Sequence, residues 1–86
     1  MTGDDYDNFC DVMKLTDIFY RKNIDLDFID TYFLKLNHLP FEEVKFAIKT
    51  YTIFHCKKHL FPRPEDIILF NNLRINKMLP HLNELL

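Results

Sequence analysis

Glycine is almost missing from this 86-residue chain, which has one, Gly3, alongside four prolines. That shortage argues against an all-β fold, which needs many tight turns. It also removes nucleotide chemistry, because neither a GxxxxGK[ST] phosphate loop nor a dinucleotide fingerprint can be built around a single glycine at position 3. Serine is absent altogether, and serine nucleophiles go with it. The two cysteines, Cys10 and Cys56, lie far apart and match no metal or redox spacing. With no signal peptide ahead of Met1, they are expected to be free thiols in a reducing, cytoplasmic compartment. No apolar run approaches the length of a membrane span. The expectation left by these absences is a non-enzymatic protein that carries no cofactor.

What the chain does have is bulk. Hydrophobic residues make up 48% and aromatics 15%, with nine Phe. Aromatic side chains bury large areas, so one core at this length needs neither metal nor disulfide. Net charge is only −2 but unevenly spread. Residues 1–30 hold eight Asp against Lys14, Arg21 and Lys22, while residues 31–86 hold five acids against eight bases. Such polarity is compatible with steering a charged partner to one end, but two ordinary solvated faces are the plainer reading.

The stretch from Leu39 to Phe70 organises the rest. Pro40 suits a first helical position, and Glu42 and Glu43 complement the positive end of the helix that follows. Phe41, Val44, Ala47, Ile48, Tyr51 and Phe54 recur at helical spacing. Lys57 and Lys58 are of the sign favoured at a helix C-terminus. Phe46 and Ile53 fall off that stripe, which marks a helix in the middle of a bundle. In Leu60-Phe61-Pro62-Arg63-Pro64 two prolines in three residues stop the helix, and Leu60 and Phe61 are apolar enough to tuck under the bundle. Pro64, Glu65 and Asp66 then start another helix, whose end falls between Asn71 and Lys77.

Ahead of this stretch, residues 1–4 are expected to fray. A first helix spans about Asp5 to Lys22, capped by Asp4 or Asp5. It carries Phe9, Val12, Met13, Thr16, Phe19 and Tyr20 inward, with Leu15 and Ile18 widening the stripe. Asn23 is the stop residue. A second helix spans about Leu26 to Asn37, capped by Asp25, with Leu26, Ile29, Phe33 and Leu36 inside and Phe28 and Tyr32 beside them. The turn before Pro40 is short, so helices two and three should be near-antiparallel neighbours. The expected fold is therefore all-α: a small bundle of four or five helices around a central helix at about 40–58, with residues 5–78 as one domain. Residues 79–86 form a short apolar tail, either a last helical turn or a partner-binding segment.

Three clusters carry candidate chemistry. Cys56 adjoins His55, but neighbours on a helix point about 100° apart, and a buried structural cysteine is the plainer reading. His55 and His59 are spaced i, i+4 like zinc ligands, yet Lys57 and Lys58 crowd them and no third ligand is near, so no metal is expected. Lys45, Lys49, Lys57, Lys58, Arg63, Arg74 and Lys77 are the candidate partner-binding cations. Lys45 and Lys49 share a helical face. No DNA-reading motif accompanies them.

The run Tyr32-Phe33-Leu34-Lys35-Leu36-Asn37-His38-Leu39-Pro40-Phe41-Glu42-Glu43-Val44-Lys45-Phe46-Ala47-Ile48, continued by His59-Leu60-Phe61-Pro62-Arg63-Pro64-Glu65-Asp66-Ile67, resembles the N-terminal domain of bacteriophage loader-inhibitor proteins of replicative helicases. The resemblance covers roughly residues 6–70. It implies a helical domain in which Pro40 and Pro64 start helices, Ala47 permits close packing, and Phe61 and Pro62 lock the turn. It further implies a protein that acts in DNA replication by binding a hexameric replicative helicase or its loader. The contacts would come from the exposed cations or from the tail. The alternatives are a small DNA- or nucleoprotein-binding regulator using the basic residues at 45–77, and an acidic inhibitor whose Asp-rich first helix mimics nucleic acid.

Overall fold

The computed structural model describes residues 1–55 and 60–75. Among them the fold is all-α: a 3-10 turn at Gly3–Asp5 and four helices, α1 (Tyr6–Tyr20), α2 (Leu26–Leu36), α3 (Phe41–His55) and α4 (Pro64–Ile75). α1 packs on α2 and α3, and α4 packs on the other sides of the same two helices. The core fills the space between, from Phe9 and Met13 on α1, Ile29 and Leu36 on α2, Val44, Ala47 and Ile48 on α3, and Ile67 on α4. The last residues of the expected third helix, 56–58, and the tail at 79–86 lie outside the described residues.

Local chemistry explains each boundary. The first residues are held rather than frayed. Thr2 opens the 3-10 turn, its N–H donating to the Asp5 carboxylate at 2.9 Å, and the Met1 ammonium donates to the carbonyls of Asn37 and of Leu39, the latter at 2.6 Å. α1 stops at Tyr20, where its apolar line ends, and not at Lys22 as expected. Asp17 is the cause: its carboxylate accepts the N–H groups of Lys22, Asn23 and Ile24 at 2.9, 3.0 and 3.2 Å. The chain bends around that carboxylate with Arg21 and Asn23 both at positive φ, a conformation unusual for residues other than glycine but easier for Asn. Asp25 caps α2 as expected, accepting from Phe28 N–H at 2.8 Å. Pro40 sits one place earlier than expected, as the cap: its carbonyl accepts from Glu43 and Val44, and α3 begins at Phe41. Pro64 is the first residue of α4, and Asp66 accepts the N–H of Arg63 just before the helix at 3.1 Å. α4 then continues through Asn71 and Asn72 to Ile75.

The turn before α4 is closed by aromatics. Phe61 packs edge-on against Tyr20, Phe28 and Tyr32, with ring centroids 5.5, 5.5 and 6.0 Å away, and Phe28 stacks on Tyr32 at 4.6 Å. The Tyr32 hydroxyl donates to the carbonyl of Pro62 at 2.8 Å. Phe61 and Pro62 are buried, but Leu60, expected to tuck in beside them, is exposed. One burial site cannot take both neighbours on an extended segment, whose successive side chains point to opposite sides.

Other expectations about the core also change. Leu15, Ile18 and Phe19 on α1 are 66%, 72% and 66% exposed, and Leu26 and Phe54 are exposed too. Among the described residues α1 packs mainly on α2 and α3, so its inner line from Phe9 to Tyr20 is covered while Leu15, Ile18 and Phe19 on its outer side stay exposed. α1 and α3 run in the same direction. Met1 lies at the turn that opens α3, and Tyr20 at the other end of α1 packs on Phe61, beyond the end of α3.

Candidate functional site

The uncovered side of α1 faces α3 across an open groove with a cavity volume of about 450 Å³. Val12, Leu15, Thr16 and Phe19 form one wall, and Lys45, Ile48, Lys49, Thr52 and Ile53 the other. These residues lie side by side because both helices repeat at 3.6 residues per turn and run parallel, so two turns of each stay in register.

The groove has few groups that can exchange hydrogen bonds with a visitor. The Thr16 hydroxyl donates to the Val12 carbonyl at 2.7 Å, and the Thr52 hydroxyl donates to the Ile48 carbonyl at 2.9 Å. Both hydroxyl protons are therefore committed to their own helices. The floor presents methyl and methylene groups, and its charged features are the ammonium groups of Lys45 and Lys49 on the α3 rim. Neither lysine makes an ion pair among the described residues. No lining side chain is an acid, a histidine or a cysteine, and the titratable groups in the lining are the two lysines. The result is an apolar floor with a cationic edge.

The other sequence-derived candidates fall elsewhere. Arg63 bonds Asp66, Nε to carboxylate at 3.3 Å, and the same Asp66 carboxylate raises the guanidinium pKa. Lys57, Lys58 and Lys77 lie outside the described residues, as do Cys56 and His59, and the side chain of Arg74 is likewise not described. The structure thus brings Lys45 and Lys49 together at one site and leaves Arg63 occupied at another. The acids divide in a similar way. Asp17 holds the α1–α2 loop, Asp25 caps α2, and Asp30 accepts the hydroxyl of Tyr6. That bond, followed by the influence of Cys10, holds the Tyr6 phenol far above its usual range. Asp7 and Asp11 remain exposed on α1. Cys10 is a buried free thiol. Among the described residues no group of three or more His, Cys, Asp or Glu is placed to hold a metal, and no helix is long and apolar enough to cross a membrane.

Leu15, Phe19 and Ile53 are the site residues that pattern reading assigned to the core. Two signals point to them. The apolar positions of α1 cover well over half its circumference, wider than one buried face requires. Lys45 and Lys49 also border Ile48 on α3, placing charge beside apolar surface. No protein-family model, curated protein or solved structure matches the chain.

Proposed function

We propose that this protein is a non-enzymatic interaction module that docks a protein partner in the groove between α1 and α3. The observation that carries the reading is the groove itself: an apolar channel with its hydroxyls internally bonded, rimmed by Lys45 and Lys49. Monomeric proteins rarely leave a contiguous apolar surface of this kind without a binding role. The partner is a hexameric replicative helicase or its loader. This choice rests on the resemblance of residues 6–70 to phage loader-inhibitor domains, and it places the protein in DNA replication. Contact through apolar anchors with lysines at the rim also favours protein over DNA, since DNA affinity depends on several clustered cations, and of the candidate cations whose side chains are described, Lys45 and Lys49 lie at the groove while Arg63 pairs with Asp66.

A pull-down against a replicative helicase tests this directly. The wild-type chain and a chain lacking residues 79–86 should both retain the helicase, while Phe19→Glu, which puts a charge on the groove wall, should lose it. Retention by Phe19→Glu together with loss on deletion would move the contact to the tail. No binding by any form removes the helicase from the proposal.

A further inference from the structure

The packed helices α3 and α4 each bury a polar residue away from the groove: Thr50 on α3 and Asn71 on α4, 0% and 1% exposed. Neither the Thr50 hydroxyl oxygen nor the Asn71 carboxamide oxygen has a hydrogen-bond partner among the described residues. Thr50 departs here from the other helical threonines. Thr16, Thr31 and Thr52 each donate to the carbonyl four residues back, the usual outlet for a hydroxyl inside a helix. The Thr50 proton is not committed to α3 in this way. Asn71 stands one turn beyond the buried Ile67, where the helical repeat calls for an apolar side chain. Burying a carboxamide oxygen at such a position costs free energy unless something bonds it.

The two residues belong to the same stretch of the helix pair. Phe70 packs against Tyr51 and Phe54, with ring centroids 5.5 and 6.3 Å away. Thr50 precedes Tyr51 and Asn71 follows Phe70, so each lies one residue, about 1.5 Å of helical rise, from the ring contact that joins the helices. We infer that Thr50 and Asn71 together hold an internal water molecule between α3 and α4. A direct bond between the two side chains would satisfy both, but they make none. A water does the same from a distance: it donates one O–H to the Asn71 carboxamide oxygen and accepts the Thr50 hydroxyl proton. Buried waters take about two to four polar partners, and these two atoms supply the minimum. Other small occupants do not suit the pair. An anion would face a carboxamide oxygen with no charged side chain buried among the described residues, and hard cations need more oxygen ligands than two. Held in this way, the water links α4 to α3 at a single level, and a fully bonded polar link of this kind fixes how two helices pair.

Oxygen-17 magnetic relaxation dispersion of the full chain counts water molecules held longer than the protein takes to tumble. Wild type should hold about one more than the double variant Thr50→Val/Asn71→Leu. Urea unfolding supplies a second reading. Thr50→Val or Asn71→Leu alone takes one partner from the water and leaves the other group under-bonded, so each should lower the folding equilibrium constant about tenfold. The double variant should return to within about threefold of wild type, because replacing both polar partners by apolar groups removes the need for the water. If the two atoms are buried dry, each single substitution deletes an unsatisfied group, and stability stays level or rises. That result overturns the inference. So do losses that simply add in the double variant, since they mean that Thr50 and Asn71 share no ligand, and so does an equal water count in wild type and double variant. If the double variant does not fold, the wild-type count still decides against the inference when it shows no long-lived water.

Discussion

The Phe61–Pro62 turn and the α1/α3 groove are made from the same kinds of residue and end in opposite states. At the turn, Phe61 arrives from a proline-stiffened segment and meets three rings, and Tyr32 closes the site with a hydrogen bond to the backbone. At the groove, Phe19, Leu15 and Ile53 stand at the same helical spacing as core residues, but no further element crosses above them among the described residues. Hydrophobicity is common to both. What differs is whether a covering segment reaches the surface, and that is decided by connections, not by the helix that bears the residues. One region is therefore expected to carry stability and the other binding, and substitutions separate the two.

The largest separation should come from Phe61→Ala. Removing a buried ring that touches three others should destabilise the fold by about 3–5 kcal/mol, read as a lower urea midpoint. Marginal stability makes that a large fraction of the total for a domain of this size. If Phe61→Ala costs no more than a typical surface change, the turn is not the lock that its contacts suggest.

Asp17→Ala comes next. Three backbone N–H groups lose their carboxylate, and Arg21 and Asn23 lose the anchor that holds them at positive φ. Hydrogen bonds to charged groups are the stronger kind, but this loop is open enough for water to replace part of them, so the expected cost is about 2 kcal/mol. Amide hydrogen exchange should accelerate at residues 22–24 beyond the global change. Uniform acceleration along the chain would mean that the loop is held by something else.

Tyr32→Phe is a smaller and more specific probe of the closed region. It leaves the ring contacts and deletes the bond to the Pro62 carbonyl, at a cost of about 1 kcal/mol. It also has a pH signature. Burial first, and then the nearby carboxylates of Glu65 and Asp66, push the Tyr32 phenol up to about 12. The folded state thus holds this proton more tightly than the unfolded state, whose phenol titrates near 10. The stabilisation is complete below pH 10 and is lost as pH rises through about 12. Wild type should therefore lose stability across that interval more steeply than Tyr32→Phe. Equal slopes would assign the loss to other tyrosines, Tyr51 among them, whose pKa burial also raises.

Much of this architecture is legible in the residues. Asp25, Pro64 and the line from Val44 to Tyr51 announce a cap, a helix start and a buried face, because each depends on neighbours within a few positions. The burial of Phe61 was readable from an apolar residue standing just ahead of two prolines. Pro40 was placed one residue late, since a proline satisfies both the cap and the first position and only the hydrogen bonds of Glu43 and Val44 distinguish them. Asp17 was not readable at all. An acid in the last turn of a helix opposes the dipole, and its value lies in three N–H groups whose positions depend on the loop it shapes. The outer side of α1 failed for a different reason: periodicity shows that Leu15 and Phe19 share a helix side, but only the arrangement of the four helices shows that none of the described elements lies over it.

Phe19→Ser is the substitution expected to change stability least, and it bears most directly on why the groove exists. Phe19 is 66% exposed, so deleting its ring removes little burial, and surface changes of this kind usually stay within about 0.5 kcal/mol. Serine has a lower helix propensity than the best helix formers but one similar to phenylalanine, so the backbone term is close to zero as well. The urea midpoint of a dilute sample should therefore match wild type. In the helicase pull-down, by contrast, Phe19→Ser should retain less partner than wild type, because it removes an apolar anchor from the groove wall. A stability lowered by several kcal/mol would place Phe19 in the core after all and erase the difference between the two regions; stability and helicase capture both unchanged would leave Phe19 without a role in binding.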